Sequence, residues 1–399
     1  MRPLCTAALV LAMAGAALAQ DQQLGARTKA MGGSYTAFED DPVSVWLNPS
    51  GIATQSDQFS IAYQTYTTYP LHREKAPGSD VVSFNAKAES ALVDPAILPS
   101  YIGFVFHVGA ADSGMAVGFC YARPYHLNYS FDEIDDPFST TFKADSNVTQ
   151  SFSRFRLAFA KDFRFAPVGD AGWLTHVSVG GGLDVGYERW EFTSVATKVT
   201  DNATAYGGGA GFLVGVYDNG ESFRANLGAA YQSSMKWNFN IDPDIFPAFD
   251  MPQQLNVGAT FYLLKGYPLR ATVDFQWIDW SATADKSFFG GQPVFVDAMN
   301  FSVGVEYKIP LPVERLSLYP RLGYRRFQPP WKDKNDLPMT GNFKLVLDTK
   351  GDRSGPFNIF TYGFGLSWTN DAGKIRTVDF AGDAGGDSAN FAVGFTYEF

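Results

Sequence analysis

Cysteine is nearly missing from this 399-residue chain, histidine is scarce, and no long apolar run occurs beyond the first residues. Each shortage removes a class of protein. Two cysteines, Cys5 and Cys120, allow no disulfide framework, and Cys5 falls within a segment that reads as a leader. Cys120 then reads as a small apolar strand residue rather than a nucleophile. The four histidines, His72, His107, His126 and His176, show no metal-ligand spacing, so neither a metal nor another cofactor is expected. A Gly-x-Ser-x-Gly elbow is absent, and no local Ser/His/Asp set replaces it, so the chain is not expected to be an enzyme. A hydrolytic triad dispersed over distant strands is the remaining alternative. Positive charge is in deficit, with 31 Lys and Arg against 41 Asp and Glu, which argues against a nucleic-acid partner. After the leader no stretch approaches 18 uninterrupted apolar residues, so no transmembrane helix is expected.

What the chain does contain begins with that leader. Arg2 precedes an apolar run from Leu4 to Leu18, and Ala17-Leu18-Ala19 supplies a small-x-small cleavage site before Gln20. Residues 1–19 therefore read as a secretory signal peptide, too short to span a bilayer as an anchor. Aromatic residues reach 16%, yet the mean hydropathy is only -0.11. Strict alternation of oily and polar side chains reconciles the two values. Phe155, Leu157, Phe159, Phe163 and Phe165 fall on one face of a strand, with Arg156, Ala158, Ala160, Asp162 and Arg164 on the other. The same period of two recurs at 223–231, 255–263, 269–277 and 301–309.

A soluble sandwich also alternates, so the connections must decide. Strands are read near 57–69, 101–109, 115–130, 149–165, 173–193, 204–217, 222–240, 253–264, 267–281, 299–309, 315–327, 357–369, 374–382 and 389–399. Their linkers are short on one side, as at 110–114, 166–172, 218–221, 265–266, 310–314 and 370–373. On the other side most are long, as at 70–100, 131–148, 241–252, 282–298 and 328–356. Alternating tight turns and long loops mark a bacterial outer-membrane barrel, so residues 57–399 are expected to form a transmembrane antiparallel β-barrel of about 14 strands. Its partners are then outer-membrane lipid and, during biogenesis, the outer-membrane assembly machinery, whose recognition signal the closing strand ending at Phe399 resembles. Residues 20–56 do not alternate. Punctuated by Gly25, Gly32, Gly33, Asp40, Asp41, Asn48, Pro49 and Gly51, they read as a turn-rich segment able to fold up into the lumen.

Several features call for weighing. Gly180–Gly182 and Gly207–Gly209 lie within strand patterns without the helix or Lys-Ser/Thr of a phosphate loop, and one run is a candidate for a kink in the wall. The acidic stretches 132–136 and 242–250 match no calcium loop and read as solvated loop charge. The second is interleaved with Phe246 and Phe249, which form either a greasy capture site for a hydrophobic ligand or packing against the rim. Polar-face charges Arg156, Arg224, Arg270, Asp274, Glu306, Arg321 and Arg325 are expected to line the interior, pairing with one another and with the hatch segment.

Residues 25–51 resemble the N-terminal hatch of the FadL-like outer-membrane superfamily, which includes long-chain fatty-acid transporters and aromatic-hydrocarbon channels. Gly25, Ala30, Gly32, Asp40, Asp41, Asn48 and Pro49 carry the resemblance, with Ser50 where the family has Ala. Segments 251–258, 274–281 and 300–307 look like later strands of the same superfamily. The same hatch pattern marks shuttle and anchoring barrels of the type IX secretion system, so a docking platform for secretion is the rival function. The resemblance implies a hatch that plugs the lumen, with a small hydrophobic ligand such as a fatty acid captured outside and released sideways through a strand defect. It makes Asn48, Pro49, Gly51, Asp40 and Asp41 the candidate hatch residues. Phe246, Phe249 and the carboxylate-binding candidates Arg270 and Arg325 complete the set.

Overall fold

A computed structural model of the chain describes residues 23–38, 40–65, 71–75, 85–88, 99–109, 113–135, 143–165, 172–194, 198–237, 250–282, 296–328, 343–346, 356–385 and 388–399. The leader, Phe246, Phe249, Asp242 and Asp244 lie outside the described residues. The wall is a closed antiparallel barrel of 14 strands. They are β1 Gln58–Gln64, β2 Tyr101–His107, β3 Met115–Asp135, β4 Lys143–Arg164, β5 Gly172–Ser194, β6 Lys198–Asp218 and β7 Phe223–Gln232. The remainder are β8 Gln254–Leu263, β9 Leu269–Ile278, β10 Ala298–Tyr307, β11 Leu316–Phe327, β12 Phe357–Thr369, β13 Ile375–Gly385 and β14 Ser388–Glu398. Each strand pairs with the next in sequence, and β1 closes on β14 in a register that sets Gln58 opposite Glu398.

The direction of the side chains settles what alternation alone left open. On β4, Phe155, Leu157, Phe159 and Phe163 are exposed on the outside, while Arg154, Arg156 and Asp162 are buried inside. Phe159 is 55% exposed and Arg156 0%, the reverse of a soluble sandwich. An outward apolar band over a polar interior is the pattern of a membrane-spanning barrel. At the short-turn end the band finishes in an aromatic belt. Trp173 meets Tyr217 at 4.7 Å, Tyr217 meets Phe223 at 5.8 Å, and Phe106 meets Phe399 at 5.5 Å.

Three expectations need correction. Of the breaks read at 194–203 and 383–388, the stretches 198–203 and 383–385 are instead continuing ladder, because Thr193 pairs Lys198 and Gly385 pairs Ser388; residues 195–197, 386 and 387 lie outside the described residues. Beyond the bilayer both faces of a strand meet water, so the hydropathic period fades while backbone pairing persists. The strand read to 240 ends at Gln232, after which the chain bends inward and Met235 bridges to Met251. The glycine runs produce no kink: Gly180 pairs Gly211, Gly182 pairs Gly209 and Asp184 pairs Gly207 in an unbroken ladder. Their role is close approach, since a Cβ on Gly180 would lie 2.6 Å from the backbone of Pro49 and Ser50. One irregularity of the ladder lies in β3, where Arg123 and Pro124 form a bulge between the Ala122–Arg154 and Tyr125–Phe152 pairs. Proline has no N–H to give the ladder, so the extra residue falls there.

The segment from Gln23 to Ser56 lies inside the barrel and is mostly buried. As its punctuation predicts, it contains only short elements: α1 Ala26–Ala30, α2 Ser44–Leu47 and one 3₁₀ turn, Pro49–Ala53. Leu24, Met31, Phe38, Val43, Val45 and Trp46 pack with Tyr101, Val105 and Cys120 of the wall in one apolar cluster. Cys120 is a free, buried residue of that cluster, as read from the sequence.

Candidate functional site

The hatch is fixed to opposite sides of the wall by two different devices. On the β9–β13 side it contributes charges. The Arg27 guanidinium donates to both oxygens of Glu306 at 2.9 and 2.8 Å and to Asp40 at 3.0 Å. Arg270 donates to Asp40 at 2.5 Å and lies 3.3 Å from Glu306, while Arg321 joins Glu306 to Asp379 at 2.6 Å each. Glu306, 1% exposed, thus stands between three guanidinium groups, an arrangement in which each buried charge has a partner. Lys29, fully enclosed, pairs with Asp383 at 2.8 Å. Asp274 accepts the N–H groups of Tyr35 and Thr36 at 2.7 and 2.8 Å and the Thr36 hydroxyl at 2.6 Å. Rings and cations also alternate across this seam. Arg27 and Arg270 both flank the Phe38 ring, and Arg270 and Arg224 both flank Tyr262.

On the β4–β7 side the hatch contributes mainly backbone. Arg156 is anchored by Asp184 at 2.7 and 3.0 Å, and its Nη1 donates to the Trp46 carbonyl at 2.7 Å. Arg154 shares Asp184, and the Gln232 amide also donates to the Trp46 carbonyl, at 2.9 Å. Asn48 acts as a rivet. Its amide donates to the Thr36 carbonyl at 2.7 Å and to the β6 carbonyl of Phe212 at 3.2 Å. Its side-chain oxygen caps the 3₁₀ turn by accepting from the Ser50 N–H and hydroxyl, while Pro49 opens that turn. Gly51 is required by crowding, because a Cβ there would meet the Phe38 carbonyl at 2.9 Å.

Of the candidates, Asp40 and Arg270 meet in the ionic cluster, and Asn48, Pro49 and Gly51 form the opposite rivet. Asp41 lies beside the first group, its carboxylate accepting from the Val43 N–H at 2.9 Å; burial pushes its pKa up to about 6. Arg325 joins neither group. It faces inward near the outer end of β11, with its guanidinium 5.1 Å from the Phe327 ring. Arg27, Lys29, Asp184, Asp379 and Asp383 were missed. One signal was readable: Arg27 and Lys29 are the only charges between residues 23 and 38, so a lumenal position required carboxylates from the wall.

Above and below the hatch the lumen differs in chemistry. Towards the short turns a polar chamber of 680 Å³ is lined by residues including Arg27, Asp40, Arg224, Arg270, Lys308 and Glu398. Towards the long loops large apolar side chains join inward charges such as Glu188, Asp201 and Arg325. Phe152, Trp190, Ile278, Phe327, Phe357 and Ile359 are all buried there, and Trp237 meets Phe152 edge-on at 5.8 Å.

No family model and no curated protein matches the sequence. Solved structures do. A Pseudomonas aeruginosa FadL homologue aligns over 94% of this chain and 98% of its own, with 12% identity and a TM-score of 0.56. The Ralstonia pickettii toluene transporter TbuX aligns over 95% and 99%, with 14% identity and a TM-score of 0.56. A mutant of the TodX monoaromatic hydrocarbon channel aligns over 95% and 100%, with 12% identity and a TM-score of 0.55. At such identities the likeness is one of fold, and the FadL-like fold anticipated from residues 25–51 is the fold this chain adopts.

Proposed function

We propose that this protein sits in the bacterial outer membrane and passes small hydrophobic molecules, such as long-chain fatty acids, by passive diffusion. The observation that carries the reading is the change of chemistry along the lumen. An apolar ligand is favoured among Phe152, Trp237, Phe327 and Phe357 above the hatch and disfavoured in the charged chamber below it. Its way out is then sideways. The β3 bulge at Arg123–Pro124 interrupts the wall, and above Tyr101 the stretch 124–128 has no strand neighbour on the β2 side among the described residues. A FadL homologue, a toluene transporter and a monoaromatic hydrocarbon channel among the structural neighbours support the same reading. The test is binding of a labelled long-chain fatty acid, and separately of toluene, to the purified protein, followed by uptake in proteoliposomes. Saturable binding that Phe152→Asp weakens is expected. Absence of saturable binding by any apolar probe, together with co-purification of a secretion partner, would overturn it.

A further inference from the structure

Two tryptophans flank Arg154 of β4 where the hatch gives way to the upper lumen. From the hatch side, the Trp46 ring centroid lies 5.0 Å from the Arg154 guanidinium. From the other side, Trp237, in the stretch that bends inward after β7, rests on Gly186 of β5, the residue opposite Arg154 in the ladder. A Cβ on Gly186 would lie 2.6 Å from Cη2 and 3.3 Å from Cζ3 of that indole. The benzene edge of Trp237 therefore faces the wall, and its pyrrole edge, with Nε1, is turned towards the lumen. Met235 fills the space beside it, its Cε 2.7 Å from the same Cβ position and its Cγ 2.8 Å from that of Gly207.

The hydrogen bonding around Arg154 is one-sided. Trp46 Nε1, Trp237 Nε1 and Arg154 Nε are buried N–H groups with no acceptor, on side chains 0%, 2% and 3% exposed. The remaining guanidinium donors are used, by the Gln232 side-chain oxygen at 3.2 Å and by Asp184. Indole and guanidinium only donate, so three such groups together call for an oxygen acceptor, and enclosing them without one is unfavourable. Charge, by contrast, is already matched. From Arg156 upward on β3 to β6, the inward ionic groups among the described residues are Arg123, Arg154 and Arg156 against Asp184, Glu188 and Asp201. An incoming carboxylate would set a fourth anion against three cations, whereas an uncharged oxygen would satisfy the donors and leave the balance intact.

Resting on the hydrophobic-transport reading, we propose that the ground around Arg154 is the head-group site of the ligand, and that it takes an uncharged, oxygen-bearing head, an ester or alcohol on a hydrocarbon chain, in preference to a carboxylate. The ligand oxygen accepts from the indole and guanidinium N–H groups, and its chain lies along Phe152, which meets Trp237 at 5.8 Å. Room for the head comes from Met235, whose unbranched side chain swings off Gly186 and Gly207 as the ligand enters.

The test is equilibrium binding of radiolabelled methyl laurate, dodecane and laurate to the purified protein at about pH 8, where laurate is ionised. Methyl laurate is expected to bind about tenfold tighter than dodecane, through the hydrogen bonds it gains, and about tenfold tighter than laurate. Trp237→Phe keeps a ring and loses the N–H, so the preference for methyl laurate over dodecane should shrink several-fold. Glu188→Gln removes one anion, so the preference for methyl laurate over laurate should shrink by a similar factor. Heat-modifiable migration in a gel reports a closed barrel for each variant, and where a variant does not close, the wild-type ranking decides alone. Laurate or dodecane binding as tightly as methyl laurate, or preferences unmoved by either substitution in closed barrels, would overturn the head-group site and leave the transport reading standing. A wild type that binds none of the three would instead overturn the hydrophobic-transport reading itself.

Discussion

The two flanks of the hatch use the same residue types to opposite ends. Beside β4–β6, Arg156 and Asp184 both belong to the wall, and the hatch offers the Trp46 carbonyl. Beside β9–β13 the hatch brings Arg27, Lys29 and Asp40, each needing its own wall partner. The first flank recognises mainly backbone shape, with Asn48 the hatch side chain it holds. The second recognises hatch sequence, and one lost carboxylate there leaves several cations short of negative charge.

The sharpest way to break this contrast is Glu306→Ala, which leaves Arg27 and Arg270 to share Asp40 and Arg321 with Asp379 alone. Removing one member of a buried ionic group costs about 3–5 kcal/mol, so a large fall in the unfolding midpoint in detergent is expected. Trypsin should also gain cleavage at Arg27 and Lys29. A barrel of unchanged midpoint would mean that the ionic flank is not a fastening at all.

Asn48→Ala attacks the other flank by removing the pin between the Thr36 and Phe212 carbonyls. A loss of roughly 2–3 kcal/mol is expected from buried hydrogen bonds left unmade, with fatty-acid affinity unchanged. Reduced affinity at unchanged stability would instead make Asn48 a ligand contact.

Asp41 gives the comparison a pH axis. Its folded pKa is raised from 3.8 to about 6, so between these values the folded protein holds a proton that the unfolded chain releases. Stability should therefore fall as pH rises through that window, by roughly 2–3 kcal/mol, and level off above it. The difference between wild type and Asp41→Asn, followed by denaturant unfolding from pH 4 to pH 7, isolates this contribution; identical profiles would refute it.

The smallest effect separates close approach from open space on adjacent residues. Gly180→Ala places a methyl group 2.6 Å from hatch backbone and should cost about 1–3 kcal/mol. Gly181→Ala, whose nearest neighbour is the Gly209 carbonyl at 3.5 Å, should change stability by less than about 0.5 kcal/mol. Equal losses in the two variants would remove Gly180 from the seam.

The barrel was legible in the sequence because each strand repeats one local rule, oily outside and polar inside, and the rule is strongest where lipid enforces it. It failed where lipid ends: beyond Thr193 and around Gly385 the ladder continues without a hydropathic mark. The hatch was legible as a turn-rich segment, and Arg270 and Asp40, singled out separately, meet in the ionic cluster. Their grouping was not readable, because Arg27 and Glu306 stand 279 residues apart and only the closed wall brings them together. Glycine was the least readable signal. Gly180, Gly228, Gly304 and Gly323 come from different strands, and nothing in their local sequence says that each faces the hatch. Phe246 and Phe249 lie outside the described residues, so their reading as a capture site stands untested.

The closure of β1 on β14 has a consequence for assembly. The hatch precedes every wall strand in the chain, yet Arg27, Lys29 and Thr36 find their partners on strands made hundreds of residues later. Before the seam between Gln58 and Glu398 forms, the hatch has only part of a wall to lie against. Arg27 and Lys29 can meet Glu306 and Asp383 only once those later strands are in place. Such long-range contacts delay folding until most of the chain is available. Weakening the ionic flank should therefore slow barrel closure as well as loosen the finished plug.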